Sequence, residues 1–167
     1  YINSTPVIDQ LSVAFPNTLI LVIISITLAI VLSIPIGIRT AVKPNSIFSG
    51  FATVVAMIGI AAPGFWIALL LVLLFSVYLG WLPASGMENW KSIILPSIVL
   101  SLSFMAGISR MMRSSMIESL RTDYVRTARA KGVKPKGITY VHALENALLP
   151  TITVIGSYTG EMLGGAV

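Results

Sequence analysis

From Ser49 to Gly80 the sequence carries no charged side chain: "SGFATVVAMIGIAAPGFWIALLLVLLFSVYLG". At about 1.5 Å of rise per residue, a helix of that length outruns the roughly 30 Å of bilayer hydrocarbon. The run is too apolar for a soluble surface and too long for one straight perpendicular span. "AAPGFW" lies inside it. Pro63 removes a backbone donor and disfavours helix at Ala62, so Pro63 and Gly64 mark a kink or break. Such a break is tolerated at membrane depth where neighbouring helices or a cavity satisfy the freed backbone, so it is expected to face protein.

The rest of the chain has the same character. It is 56% hydrophobic and 10% charged, with a mean hydropathy of +0.92, which leaves too few polar groups to coat a soluble globule. The apolar runs predict an all-α polytopic bundle, incomplete at both ends, with spans at about 17–38, 49–79, 93–110 and 147–167. Asn17, just after Pro16, reads as a helix-start cap. Pro35 and Gly37 loosen the end of the first span. Trp81 and Trp90 flank a short loop as interfacial anchors would. The first run lacks a basic leader and a small-residue cleavage site, so it is no signal peptide. A chain opening on Tyr1 is expected to be a piece of a longer polypeptide.

Charge placement sets the orientation. Ten Lys or Arg residues fall in the Arg39–Lys43 and Arg110–Lys136 connections, against Lys91 alone on the other side. The positive-inside rule therefore puts both basic connections in the cytoplasm and the stretch Tyr1–Pro16 outside. Orientation in a bilayer accounts for the net charge of +5, and no nucleic acid partner is needed. There is no cysteine and a single histidine. Disulfides, thiolate metal sites and His clusters are thereby excluded, so a metal handled here needs oxygen ligands or a carrier molecule. His142 makes no site by itself and reads as structural or coupling.

The second basic connection, 111–146, reads as a folded cytoplasmic element of short helices. Ser114 or Ser115 can cap one, Thr122 or Asp123 the next; Gly132 ends that one in a left-handed cap, and Pro135 prevents its continuation. In "DYVRTARAKG", Tyr124, Ala128 and Gly132 recur on one side, with Val125 and Arg129 beside them. Small residues at Ala128, Ala130 and Gly132 let another surface approach, and Arg126, Arg129 and Lys131 ring the patch, as on a docking knob. The alternative is a basic loop lying on anionic lipid. A lipid-lying helix would be one continuous amphipath with bulky apolar residues, whereas this apolar side is mostly alanine and glycine.

"YVRTARAKG", with "HALENALLP" following Gly132, resembles the cytoplasmic signature of permease subunits of binding-protein-dependent ABC importers, in the peptide and nickel branch. The general family pattern is Glu-Ala-Ala, three residues, Gly, nine residues, Ile, one residue, Leu-Pro. Here Arg126, Thr127 and Ala128 take the Glu-Ala-Ala places, and Gly132 and Leu144 match. His142 takes the Ile place and Glu145 the proline place, departures typical of the peptide and nickel branch. "FPNTL", "IPIGI", "APGFW", "LGWLPASG", "ILPSI" and "LGGAV" extend the resemblance along almost the whole chain.

The resemblance implies a multi-pass permease of the bacterial cytoplasmic (inner) membrane, paired with a second homologous permease, two ATPase subunits and an external substrate-binding protein. It also implies a further span before Tyr1 and another after Val167. In that family the loop enters a cleft of the ATPase, which would make Asp123, Tyr124, Arg126, Thr127, Ala128, Arg129, Ala130 and Gly132 coupling residues. ATP and Mg would sit on the partners. This chain has no GxxxxGK followed by Ser or Thr to cradle nucleotide phosphates, so it is expected to be a translocation subunit with no catalytic residue and no cofactor of its own.

Cargo turns on the last span. Gly156, Gly160 and Gly164 stand four residues apart, a ridge for close helix packing. Glu161 sits beside that ridge, where an ionisable group at membrane depth needs a partner or a cavity. It reads either as a protonated group hydrogen-bonded across a helix interface or as a polar contact for a cationic cargo. "GE" followed by "GG", with "FSVYLGWLPASG", is most similar to nickel-import permeases. The expected cargo is therefore nickel or a nickel chelate, the alternative being dipeptides or oligopeptides. Two other classes fit less well. An ion-coupled secondary transporter would show acid or His relays and inverted repeats, and a scaffold would have little use for a Pro-broken span and a buried Glu.

Overall fold

The computed structural model describes residues 7–86 and 89–165. The first six residues of the expected external stretch, Met87 and Glu88 of the tryptophan-flanked loop, and the last two residues of the final span lie outside the described residues. Among those described, three helices are long and apolar enough to cross a membrane, or four if a bent pair counts as one span.

The first, α1 (Val7–Val42), contains both Pro16 and Pro35. It begins well before the span expected at Asn17 and continues past Pro35. Asn17 therefore lies inside α1 and is not a helix-start cap. The face of α1 that meets the next long helix is built from Ser25, Ala29, Ser33, Gly37 and Ala41, all buried, at a regular spacing of four. Water supplies no drive between helices in lipid, so small side chains that let two backbones approach become the main source of contact energy. Of the polar side chains here, Ser25 Oγ donates to the Leu21 carbonyl at 2.7 Å and the neighbouring Thr40 Oγ1 to the Gly37 carbonyl at 3.0 Å, while the buried Ser33 Oγ has no partner among the described residues.

A short turn leads into α2 (Ile47–Ala61), capped by Ser46, whose hydroxyl accepts from the Ser49 amide at 3.2 Å. Ser49 Oγ returns a bond to the Lys43 carbonyl at 2.6 Å, and the Arg39 guanidinium lies over the Phe48 ring, 4.7 Å from its centre. Helix α3 (Gly64–Val72) continues through a π-helical turn, Leu73–Tyr78. Between the two halves, at Ala62 and Pro63, the chain bends by 105°. Gly64 faces the bundle, with a hypothetical Cβ 3.8 Å from Ser103 Oγ. Pro63, however, is exposed, contrary to the expectation that the break faces protein. The flanking turns supply the reason: the Ala62 amide still bonds the Ile58 carbonyl at 2.8 Å, and the Pro63 carbonyl accepts from Trp66 and Ile67.

After a single 3-10 turn at Trp90–Ile93, α4 (Ile94–Leu120) runs unbroken. The helix thus continues past 110, the expected end of the third span. Ser114 and Ser115 lie inside α4 and cap nothing, because Met112 and Met116, both fully buried, hold that part of the helix in the core. The knob helix α5 (Asp123–Ala130) follows. Then α6 (Pro135–Gly137), a π-helical turn (Ile138–Ala143) and α7 (Leu144–Gly165) form one rod from Pro135 to Gly164. The last span thus grows from a helix begun by Pro135 at its first turn, where a missing amide costs nothing, and not from Ala147.

Helix α4 is the spine. Gly37 meets it so closely that an added Cβ would stand 2.6 Å from Met112 Cβ and 2.9 Å from the Ser109 carbonyl oxygen. On the other side Tyr158 packs over Gly107, its ring 4.9 Å from that of Phe104. At the basic end Ile38, Ala41, Met112, Met116, Val125, Ile138, Ala143 and Ala147 form one buried cluster. It joins α1, α4, α5 and the rod.

Candidate coupling site

Helix α5 is only two turns long and would be marginal alone. Two devices hold it. Gly132, at φ +80°, closes its end: the Gly132 amide bonds the Arg129 carbonyl at 3.0 Å and the Val133 amide bonds the Ala128 carbonyl at 3.2 Å. This pair of bonds is the Schellman closure, which needs a left-handed residue after the cap. The start is different from the expected cap. Thr122 holds the N-cap position, but its hydroxyl donates back to the Ser119 carbonyl. Asp123, in the first turn, pairs with Arg126 at 3.3 Å with both side chains largely exposed, an arrangement that contributes little beyond favouring the helix dipole.

The second device is a hydrogen-bonded latch. The Tyr124 hydroxyl lies 2.6 Å from Ser119 Oγ and accepts from Asn146 Nδ2 at 3.0 Å. Ser119 Oγ in turn donates to the Ala143 carbonyl at 2.8 Å. That carbonyl belongs to the π-helical turn, where the wider ladder shifts a backbone group out of register and makes it available to a side chain. The latch therefore ties the knob to the end of α4 and to the root of the last span. Partial burial, with the charge of Glu145, pushes the Tyr124 phenol upward, but the polar side chains of Ser119, Thr122 and Asn146 around it outweigh this and hold it below its ordinary value. Neither Ser119 nor Asn146 stood out in the sequence. The signal available was that Tyr124 and Asn146 fall one in each half of the signature.

The faces of α5 differ from expectation. Val125 is fully buried and Ala128 is 7% exposed, both turned into the chain's own core. Ala128 therefore cannot be a contact for another subunit; its small side chain lets α5 lie close on the bundle. The outward face carries Asp123, Arg126, Thr127, Arg129, Ala130, Lys131 and Gly132, all exposed, with Tyr124 at the edge. Its dominant charge is positive.

Removing the Tyr124 hydroxyl should loosen the knob without unfolding the spans. A net hydrogen bond of about 1 kcal/mol predicts that Tyr124→Phe raises amide exchange within 123–130 about fivefold. Asn146→Leu should act similarly. The double variant should fall short of the sum, because both changes break one network; a strictly additive result would mean that the latch does not exist in solution.

Gly156, Gly160 and Gly164 are exposed, and nothing lies within 4 Å of where their Cβ atoms would be. No helix of this chain fills the ridge among the described residues. Glu161 is exposed beside it. No group of three His, Cys, Asp or Glu side chains able to hold a metal ion occurs among the described residues.

A helical bundle with a Pro-broken span and a latched basic helix at one end defines a polytopic membrane protein. Residues 33–167 match the model of the family described as binding-protein-dependent transport system inner membrane component, and the chain belongs to that family. It is an inner-membrane protein.

Three relatives illustrate the similarity. The oligopeptide transport system permease protein AppB of Bacillus subtilis (strain 168) is 41% identical over 175 residues, covering 99% of this chain and 55% of the relative. The dipeptide transport system permease protein DppB of Alkalihalophilus pseudofirmus is 38% identical over 193 residues, with 99% and 58% covered. The glutathione transport system permease protein GsiC of Escherichia coli (strain K12) is 38% identical over 166 residues, with 99% and 54% covered. The chain thus spans about half the length of the curated relatives it matches.

Proposed function

We propose that this chain forms the core of a permease subunit in an ATP-driven importer of short peptides. It would work beside a second homologous permease, two ATPase subunits that hold ATP and Mg, and an external substrate-binding protein. The observation that carries this reading is the latched, outward-facing basic helix α5, rooted through Tyr124 in two membrane helices at once. A motor that moves such a knob shifts the ends of α4 and the Pro135 rod together. Differential binding of ATP to two arrangements of the motor then biases a bistable bundle between outward and inward openings. Chemistry stays on the motor.

For cargo, the relatives favour peptides over the nickel expected from "GE" and "GG". Their printed names are oligopeptide, dipeptide and glutathione permeases. Glu161, on the open glycine face, suits the ammonium group of a peptide as well as it suits a metal cation. In cells carrying the whole operon, labelled dipeptide should accumulate and radiolabelled nickel should not. Glu161→Gln should lower dipeptide uptake about tenfold, the scale of one lost charge-assisted hydrogen bond. Uptake of nickel with no uptake of dipeptide would reverse the cargo assignment. Full dipeptide uptake by Glu161→Gln would leave Glu161 a packing role only.

The docking face is tested separately. A cysteine crosslinker placed at Ala130 should capture an ATPase subunit in the assembled complex, and one at the buried Ala128 should not. Failure at Ala130 would remove α5 as the handle.

A further inference from the structure

Where the cytoplasmic end of α1 meets the start of the Pro135 rod, a groove of about 740 Å³ opens. Ile38, Val42 and Tyr140 wall it, and Arg39, Lys43 and Lys136 stand at its rim. The three cations come from the end of α1, the bend that follows it and the start of the rod, far apart in sequence. No carboxylate lies within ion-pair distance of any of them among the described residues, where the one ion pair is Asp123–Arg126. Arg39 is held in place by the Phe48 ring at 4.7 Å; stacking uses the face of the guanidinium and leaves its N–H edge for an anion.

The groove continues upward as an apolar strip. Ile24, Val31 and Pro35 are exposed on the same side of α1 as Arg39, because steps of four and seven residues return to one face. With a rise of about 1.5 Å per residue, Val31 lies about 12 Å and Ile24 about 22 Å from Arg39 along the helix. One hydrocarbon leaflet is roughly 15 Å deep, so it takes in Pro35 and Val31 and ends short of Ile24.

From this two-zoned surface we propose that the groove binds an anionic glycerophospholipid of the cytoplasmic leaflet. Its phosphate sits among Arg39, Lys43 and Lys136, and an acyl chain lies along Pro35 and Val31 toward Ile24. A free anion would make no use of the apolar strip. A further transmembrane segment would cover the strip but leave three cations without counter-charge. A lipid phosphate with its acyl chains satisfies both zones, and clusters of basic side chains beside a membrane helix attract such headgroups. The site lies outside the α5 docking face and does not depend on the cargo.

The test uses the whole importer complex in neutral detergent, exposed to phosphatidylglycerol or phosphatidylcholine, with retained lipid counted by native mass spectrometry. Phosphatidylglycerol should be retained at least about fivefold over phosphatidylcholine, and the double variant Arg39→Gln, Lys136→Gln should abolish that preference. Lys91→Gln, on the opposite side of the membrane, should preserve it, as should Arg39→Lys with Lys136→Arg, which also controls for folding. Equal retention of the two lipids, or an unchanged preference in the charge-removed double variant, would overturn the proposal. So would displacement by millimolar inorganic phosphate, which would assign the groove to a free anion. Phosphatidylglycerol preference shown by complex stripped of its ATPase subunits but not by the whole complex would assign the surface to the motor and likewise overturn it.

Discussion

Replacing Gly37 with leucine should prevent the permease from accumulating in the membrane, and replacing it with alanine should cost stability on the order of 1–3 kcal/mol. The reason is geometric. A Cβ at Gly37 would stand 2.6 Å from Met112 Cβ and 2.9 Å from the Ser109 backbone oxygen. The first neighbour is the root of a side chain and the second is main chain, so neither moves aside by a rotamer change. Helices α1 and α4 must separate, and with them the buried stripe Ser25, Ala29, Ser33, Gly37 and Ala41 loses contact along its length. Met112→Ala should not rescue Gly37→Ala, because the offending atom is the Cβ that alanine retains. The measurement is the unfolding midpoint of the detergent-purified complex. Gly156→Ala provides the contrast, since nothing among the described residues lies near that position, and should leave the midpoint within error. An unchanged midpoint for Gly37→Ala would mean that α1 and α4 do not pack as described.

That contrast also marks what could be read from the sequence. Local features were legible because their physics is local: the apolar runs, the bend at Ala62–Pro63, and the left-handed stop at Gly132 follow from backbone chemistry within a few residues. Which small-residue stripe is filled did not follow. Gly156, Gly160 and Gly164 draw the eye as three glycines, yet the stripe already filled within this chain is the one on α1, whose same spacing is spelled with serine, alanine and one glycine.

The inward face of the knob is hidden from sequence for a related reason. Grouping Tyr124, Ala128 and Gly132 by fours suggested an exposed small-residue face. Pairing Val125 with Ala128 at i, i+3 and placing Arg126 and Ala130 opposite points Ala128 inward. Serines at 114 and 115 looked like caps because a cap is a local preference, worth about 1 kcal/mol. The tertiary burial of Met112 and Met116 outweighs it. The latch between Ser119, Tyr124 and Asn146 joins residues that only the folded chain brings together.

Changing Gly132 to valine should disconnect ATP hydrolysis from transport while leaving the protein in the membrane. Space within the chain is not the obstacle, since nothing lies within 4 Å of a Cβ at this position; the obstacle is φ +80°. A left-handed backbone costs an ordinary L-residue roughly 1–2 kcal/mol, more for a β-branched one and less for asparagine. Escaping that cost means breaking the two closing bonds, Gly132 to Arg129 and Val133 to Ala128. It also draws Val133 away from the buried cluster it packs against. Helix α5 would then keep its latch at one end and swing at the other.

Uptake by Gly132→Val should fall at least about tenfold with basal ATP hydrolysis retained, Gly132→Ala should be intermediate, and Gly132→Asn should stay near wild type. That ranking is the diagnostic, because a purely steric clash with the ATPase would order the variants by size and make asparagine as harmful as valine. If asparagine fails with valine, Gly132 acts as a point of contact and not as a backbone joint. If all three variants transport normally, the rigidity of α5 is irrelevant to coupling.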